Sequence, residues 1–174
     1  MRNYIERAED FIKAIYPFIC DSLHDRCAVF NAVRDFNATY NRKVICRHGC
    51  VRIALITSDY VVKFDYNEEE VPFLGGGEKE VRIYNMAKED GFDYLFAPIT
   101  PYEYEHNTFY IMPRINGIGR EEYDDNYAEE LMTEEESEYI SELGLSDLHN
   151  YNFGFRKGKI CLVDYACVCG YSDD

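Results

Sequence analysis

The residues best suited to chemistry lie near the C-terminal end, in Gly144–Ala166, which reads GLSDLHNYNFGFRKGKICLVDYA. A polar loop holds Asp147, His149, Asn150 and Asn152, and Asp164 follows two short apolar runs, Phe153–Phe155 and Ile160–Val163. Lys157-Gly158 between the runs is a turn signal. Pairing the runs as a tight hairpin predicts Asn152 opposite Val163, about one strand spacing, roughly 5 Å, from Asp164. Amide and carboxylate oxygens suit a hard cation such as Mg²⁺, which commonly takes one or two carboxylates plus phosphate. Asp147 is then left to act on a hydroxyl. The element that must deliver this loop is a helix over 133–143, because Thr133-Glu-Glu-Glu136 has the form of a capping box and Gly144 suits a C′ position.

Asp147-Leu-His-Asn-Tyr-Asn152 resembles the D-L-x-x-x-N catalytic loop of the protein-kinase-like superfamily, and Asp164-Tyr-Ala matches the position of its D-F-G metal motif. His149 resembles the D-x-H-x-x-N variant of aminoglycoside-phosphotransferase-type kinases, and the layout is similar to short kinases encoded by lytic phages. Upstream, Tyr-Val-Val-Lys63-Phe resembles the strand-three lysine motif V-A-I-K, and Glu80-Val-Arg-Ile-Tyr resembles the αC segment whose glutamate salt-bridges that lysine. Read without the resemblance, Lys63 is a lysine on the solvent face of an edge strand. Gly75-Gly-Gly77 is a hinge before the helix Glu78–Lys88, since no G-K-[ST] follows it to make a phosphate loop.

The resemblance implies an α+β chain with a truncated protein-kinase-like fold. An antiparallel N-lobe sheet with an αC-type helix would precede a minimal C-lobe of one helix and the catalytic-loop hairpin. The implied cofactors are ATP and Mg²⁺. Lys63, held by Glu80, would position the α- and β-phosphates, and Asn152 and Asp164 would hold the metal. Asp147 would orient the acceptor hydroxyl and take its proton. His149 would either face the γ-phosphate or brace the loop. Val51, Met112 and Arg114 would contact the nucleotide, although Pro113 removes one backbone donor from that segment. Three departures stand beside this. Gly49 alone remains of a glycine-rich loop, Leu145-Ser146 replaces the His-Arg before the catalytic aspartate, and eight residues follow Ala166. These imply neither an activation segment nor a helical substrate lobe, so the phosphoryl acceptor, protein or small molecule, stays open.

The rest of the chain is read as support. Ile5, Ala8, Phe11, Ile12 and Ile15 predict a helix over 3–16 limited by Pro17, and a second helix begins near Ser22 with Leu23, Cys27, Phe30, Val33 and Phe36 as its stripe. Residues 1–40 are thus an N-terminal helical extension and 41–174 the kinase-like domain. Val44–Cys46, Val51–Ile56 and Tyr60–Phe64 read as strands, and Tyr94–Ile99 with Thr108–Met112 as a hairpin across Tyr102–Asn107. Residues 116–132 read as an acidic, Tyr-rich linker with a short helix.

The net charge of −15 over 174 residues opposes binding to nucleic acid or an anionic membrane. No apolar run approaches a membrane span, and the N-terminus lacks a signal-peptide pattern. The seven cysteines show no zinc spacing and read as thiols of a reducing cytoplasm, the host's if the gene is a phage's. Oligomers are compatible with all of this. Two other functions compete with a phosphotransferase: a nucleotide-binding pseudokinase that docks a partner, and a phage-type interaction protein whose acidic surface mimics DNA.

Overall fold

The computed structural model describes residues 3–49, 52–66, 76–118 and 127–166. It is a mixed helix and antiparallel-sheet structure that divides into two compact units: Met1–Glu78 with Ile99–Arg114, and Lys79–Pro98 with Ile115–Asp174.

In the first unit, helices α1 (Tyr4–Ile19) and α2 (Arg26–Tyr40) cover a sheet of β1 (Ile45–His48), β2 (Arg52–Ile56), β3 (Tyr60–Asp65), β4 (Thr100–Tyr104) and β5 (Asn107–Pro113), in the order β1-β2-β3-β5-β4. Ala8, Ile12, Ile15 and Ile19 recur at helical spacing and are fully buried in one core with Ile53, Leu55, Val62 and Ile111. The N-terminal helices and the sheet therefore bury each other. Asn3 and Asp25 cap the helices by accepting from Glu6 N and from Cys27 N and Ala28 N.

Three expectations are corrected here. α1 runs through Pro17 to Ile19, because the proline costs one hydrogen bond while Ile15 and Ile19 keep the apolar stripe continuous. α2 starts at Arg26 rather than Ser22, since Asp25 takes the cap, and its buried stripe is Val29, Val33 and Phe36; Cys27 and Phe30 are exposed. The second hairpin is displaced: β4 is Thr100–Tyr104, and its turn is Glu105-His106, both at positive φ. Tyr94–Ile99 is no strand of that hairpin. It opens as a 3₁₀ turn, Asp93–Leu95, and then runs extended beside Leu162, where Ala97 N donates to Leu162 O at 2.7 Å.

The second unit takes most of α3 (Gly76–Asp90), a short α4 (Tyr127–Glu130), α5 (Glu134–Glu142) and a small sheet of β6 (Asn116–Gly117), β7 (Phe153–Arg156) and β8 (Lys159–Leu162). α5 opens on the expected capping box, with Thr133 Oγ1 accepting from Glu136 N and Glu136 Oε2 accepting from Thr133 N. It closes on a Schellman motif: Gly144 at φ 69°, Leu145 N donating to Ile140 O and Gly144 N to Ser141 O. Tyr139 stacks on Phe92 at 4.2 Å and donates to Asp90, and the Tyr94 phenol donates to Glu136. Lys159 Nζ sits 4.1 Å from the centre of the Tyr94 ring, so the 90–95 segment ties α5 to β8. Burial and the Glu136 hydrogen bond push the Tyr94 phenol up to about 12. Burial alone would raise Glu136, but hydrogen bonds from Thr133 and Tyr94 hold it below its ordinary value.

Cys20, Cys27, Cys46 and Cys161 are free among the described residues, and burial pushes Cys46 and Cys161 up to about 11, which keeps them protonated thiols. No helix among the described residues is long and apolar enough to cross a membrane.

Losing the cap should be measurable. Thr133→Ala should cost about 1 kcal/mol in urea unfolding at neutral pH, and an unchanged midpoint would show that the cap contributes nothing. Because Glu136 is depressed when folded, its stabilisation is complete above the unfolded carboxyl pKa of about 4.3 and is lost as pH falls through the lower folded value. Glu136→Gln should remove that acid step from the stability profile.

Candidate active site

The hairpin has the register read from its turn. Phe153 pairs with Leu162 and Arg156 with Lys159 across Lys157-Gly158, both at positive φ, which makes a two-residue turn matched to strand twist. One residue before the ladder, Val163 N donates to Asn152 O at 2.7 Å. Asn152 is therefore fixed beside the chain that leads directly into Asp164.

The loop that brings Asn152 there is internally tied. Asn152 Nδ2 donates to Asp147 O at 2.7 Å, and Asn152 N donates to His149 O at 2.9 Å in a 3₁₀ turn over Asn150–Asn152. His149 Nε2 lies 3.2 Å from Asp147 Oδ1 and 3.5 Å from Asn152 Nδ2. One nitrogen cannot serve both: with a proton it donates to the carboxylate, and without one it accepts from the amide. The carboxylate contact is the shorter of the two. His149 thus braces Asp147, whichever further role it has. Asp147 and His149 side chains are each half exposed, whereas Asn152 is buried. Asp147, Asp164 and Tyr165 line one small cavity of about 10 Å³, room for about one water.

Two supports escaped the sequence. Asn150 is buried and its Oδ1 accepts from Ala128 N at 3.1 Å, which pins the loop to α4. Glu80, fully buried in α3, accepts from Tyr165 N at 3.0 Å, while the Tyr165 phenol donates to Ala97 O at 2.7 Å. The residue after Asp164 is thereby held at both its backbone and its ring. Neither partner could be found from local pattern, because Glu80 and Tyr165 lie 85 residues apart.

Asp147, His149, Asn152 and Asp164 are thus brought together in the second unit, with Glu80 one residue removed through Tyr165. The remaining candidates belong to the first unit or are undescribed. Lys63 is buried on β3, the central strand, on the face opposite the α1–α2 core, with Ala54 and Tyr110 as its ladder neighbours. The solvent-facing edge lysine is thereby excluded. Met112 is buried on β5 and pairs with Val61. Arg114 is exposed, and its Nη1 donates to Thr57 O at 2.8 Å. Val51 and Gly75 lie outside the described residues.

No family model matches the chain, and no curated protein does. Among solved structures it is similar to the Legionella pneumophila kinase Lpg2603 bound to IP6, at 16% identity and a TM-score of 0.48, over 77% of this chain and 51% of that one. It is also similar to WbdD in complex with the kinase inhibitor LY294002, at 18% identity and a TM-score of 0.34, over 70% of this chain and 32% of that one. The chain spans about half the length of the first and a third of the second. Likenesses of this depth say nothing of activity.

Gly154 is a further residue the geometry requires. A Cβ there would sit 2.6 Å from Asn116 O and 2.6 Å from a methyl of Ile115, so β6 can approach β7 only because the side chain is absent. Gly154→Ala should destabilise the chain by about 1–3 kcal/mol through forced separation of the strands. A thermal melt coinciding with the parent's would show that β6 does not lie against β7 as described.

Proposed function

We propose that the chain is a kinase-type phosphotransferase that uses ATP and Mg²⁺ to phosphorylate a hydroxyl acceptor, protein or small molecule. The observation that carries this reading is the Asn152–Val163 hydrogen bond at 2.7 Å, which fixes Asn152 opposite the residue before Asp164, while Asp147 and Asp164 line one cavity. The donor set fits the cation. Asn152 commits its Nδ2 to the Asp147 carbonyl, so Oδ1 is the atom oriented for a metal, and Asp164 adds a carboxylate. Among the described residues no three His, Cys, Asp or Glu side chains converge. One amide oxygen and one carboxylate form a partial shell, of the kind Mg²⁺ completes with water and phosphate oxygens. The bound cation would supply charge neutralisation at the phosphoryl group.

Asp147 carries the acceptor side. Its carboxylate would orient the acceptor hydroxyl and take its proton as the oxygen–phosphorus bond to the acceptor forms and that to the departing ADP breaks. His149, 3.2 Å away, limits the rotamers open to Asp147. Glu80 holds the backbone after Asp164 and so steadies the metal carboxylate. Lys63, buried on the central strand β3, keeps the phosphate-positioning role that the resemblance implies. Met112, Arg114 and Val51 remain candidates for contact with the nucleotide.

Asp147→Asn should slow phosphate transfer about 10²–10⁴-fold, while leaving Mg·ATP affinity nearly intact. Asp164→Asn should weaken Mg²⁺-dependent ATP binding more than metal-free binding. Both are read with labelled ATP, following transfer to the chain itself or to a cell extract beside nucleotide affinity. A parent that binds Mg·ATP and transfers under no condition would replace this reading with a pseudokinase, and a parent that binds no nucleotide would end both.

A further inference from the structure

The first unit contains a second, larger cavity, of about 430 Å³, with no part in the chemistry above. It is an open cleft bordered by α1, the segment after α2 and the β2–β3 turn, and its size falls in the range of small-molecule sites. Its apolar wall is aromatic. Phe11 packs edge-on against Phe36 at 5.7 Å and tilted against Tyr60 at 5.8 Å, and Phe36 and Tyr60 are themselves buried.

The polar wall has the opposite sign to the chain as a whole. Arg7, Arg42 and Lys43 face Asp10 and Asp59, in a protein whose net charge is −15. Arg7 Nη1 is paired with Asp59 Oδ2 at 3.2 Å, and the field of Asp10 falls also on Lys13. Neither Arg42 nor Lys43 forms a salt bridge among the described residues.

These two cations are held on a stiff segment. Asn41 closes α2 in the left-handed conformation, and the Asn37 side chain grips Val44 twice, donating to its carbonyl and accepting from its amide, each at 2.9 Å. The opposite wall is stiff too: Thr57 Oγ1 donates to Tyr60 O at 2.8 Å, and Arg114 donates to the carbonyls of Thr57 and Asp59. Walls fixed before any ligand arrives lower the ordering cost of binding.

We propose that this cavity binds a small amphipathic anion, with a flat apolar body against Phe11, which Phe36 and Tyr60 back, and a carboxylate or phosphate facing Arg42 and Lys43. A neutral aromatic would make no use of the two cations. A bare anion would leave the part-exposed Phe11 ring uncovered.

The test uses the full chain and three probes with one ring system: 2-naphthoate, 2-naphthyl phosphate and neutral 2-naphthol, titrated by amide-resolved NMR. At least one anion should shift the amides of residues 42–44 and 57–60 and bind about tenfold tighter than the naphthol. Which anion binds tighter tells a carboxylate ligand from a phosphate one. Arg42→Ala with Lys43→Ala, two exposed changes that spare the aromatic wall and the Asn37 clamp, should abolish that tenfold advantage. Saturating Mg·ATP should leave binding unchanged. The proposal is overturned if naphthol binds as tightly as both anions, if the double variant keeps the parent's preference, if Mg·ATP displaces the probes, or if no probe shifts these amides.

Discussion

A single backbone hydrogen bond, from Val163 N to Asn152 O, organises the candidate site. It continues the β7–β8 ladder by one residue, so its register is inherited from the whole hairpin. The side-chain period of a strand is two, so a slip of one position would turn the buried Phe153 outward and take Asn152 from its place opposite Val163, the residue before Asp164. The Lys157-Gly158 turn resists that slip, because both residues already hold the positive φ that a two-residue connection needs.

The surroundings convert this register into a fixed constellation. α5 ends on a Schellman motif that aims the chain at Asp147, and the aromatic and ionic contacts of Phe92, Tyr94 and Lys159 join that helix to the hairpin it serves. Gly154 lets β6 close against the hairpin. Glu80 is the costliest element of the arrangement, a carboxylate with no exposed surface. Its burial is tolerable only with donors at hand, and Tyr165 N is one of them. The buried Glu80 side chain thus holds the backbone of the residue that follows Asp164.

Much of this was legible in the sequence wherever the cause is local. The capping box, Gly144 and the Lys157-Gly158 turn each act within a few residues, and helix α5 and the hairpin follow from them. Where the cause is distant, the sequence misleads. Tyr94–Ile99 has a strand's composition because it is buried, yet it borrows a single extended bridge from β8 instead of forming the β4–β5 hairpin. The true turn of that hairpin, Glu105-His106, carries neither glycine nor asparagine and sends no signal. Pro17 looked like a stop, but the burial of Ile15 and Ile19 outweighs one lost hydrogen bond. Asn150 and Asn37 are ordinary polar residues on paper, and Glu80, singled out as a partner for Lys63, gave no sign that it would hold Tyr165; these contacts are set by the fold. Lys63 shows the same limit: its pattern permitted an edge strand until the sheet order made β3 central.

The central claim is that the Asn152–Asp164 pair holds the metal of a bound nucleotide. Mn²⁺ can stand in for Mg²⁺, and its paramagnetism broadens the resonances of nearby nuclei. Substoichiometric Mn·ATP added to the labelled chain should broaden first and most strongly the Asn152 side-chain amide and the backbone amides of residues 163–165. Metal-free ATP should leave them sharp. Broadening that begins elsewhere while these signals persist would contradict the account.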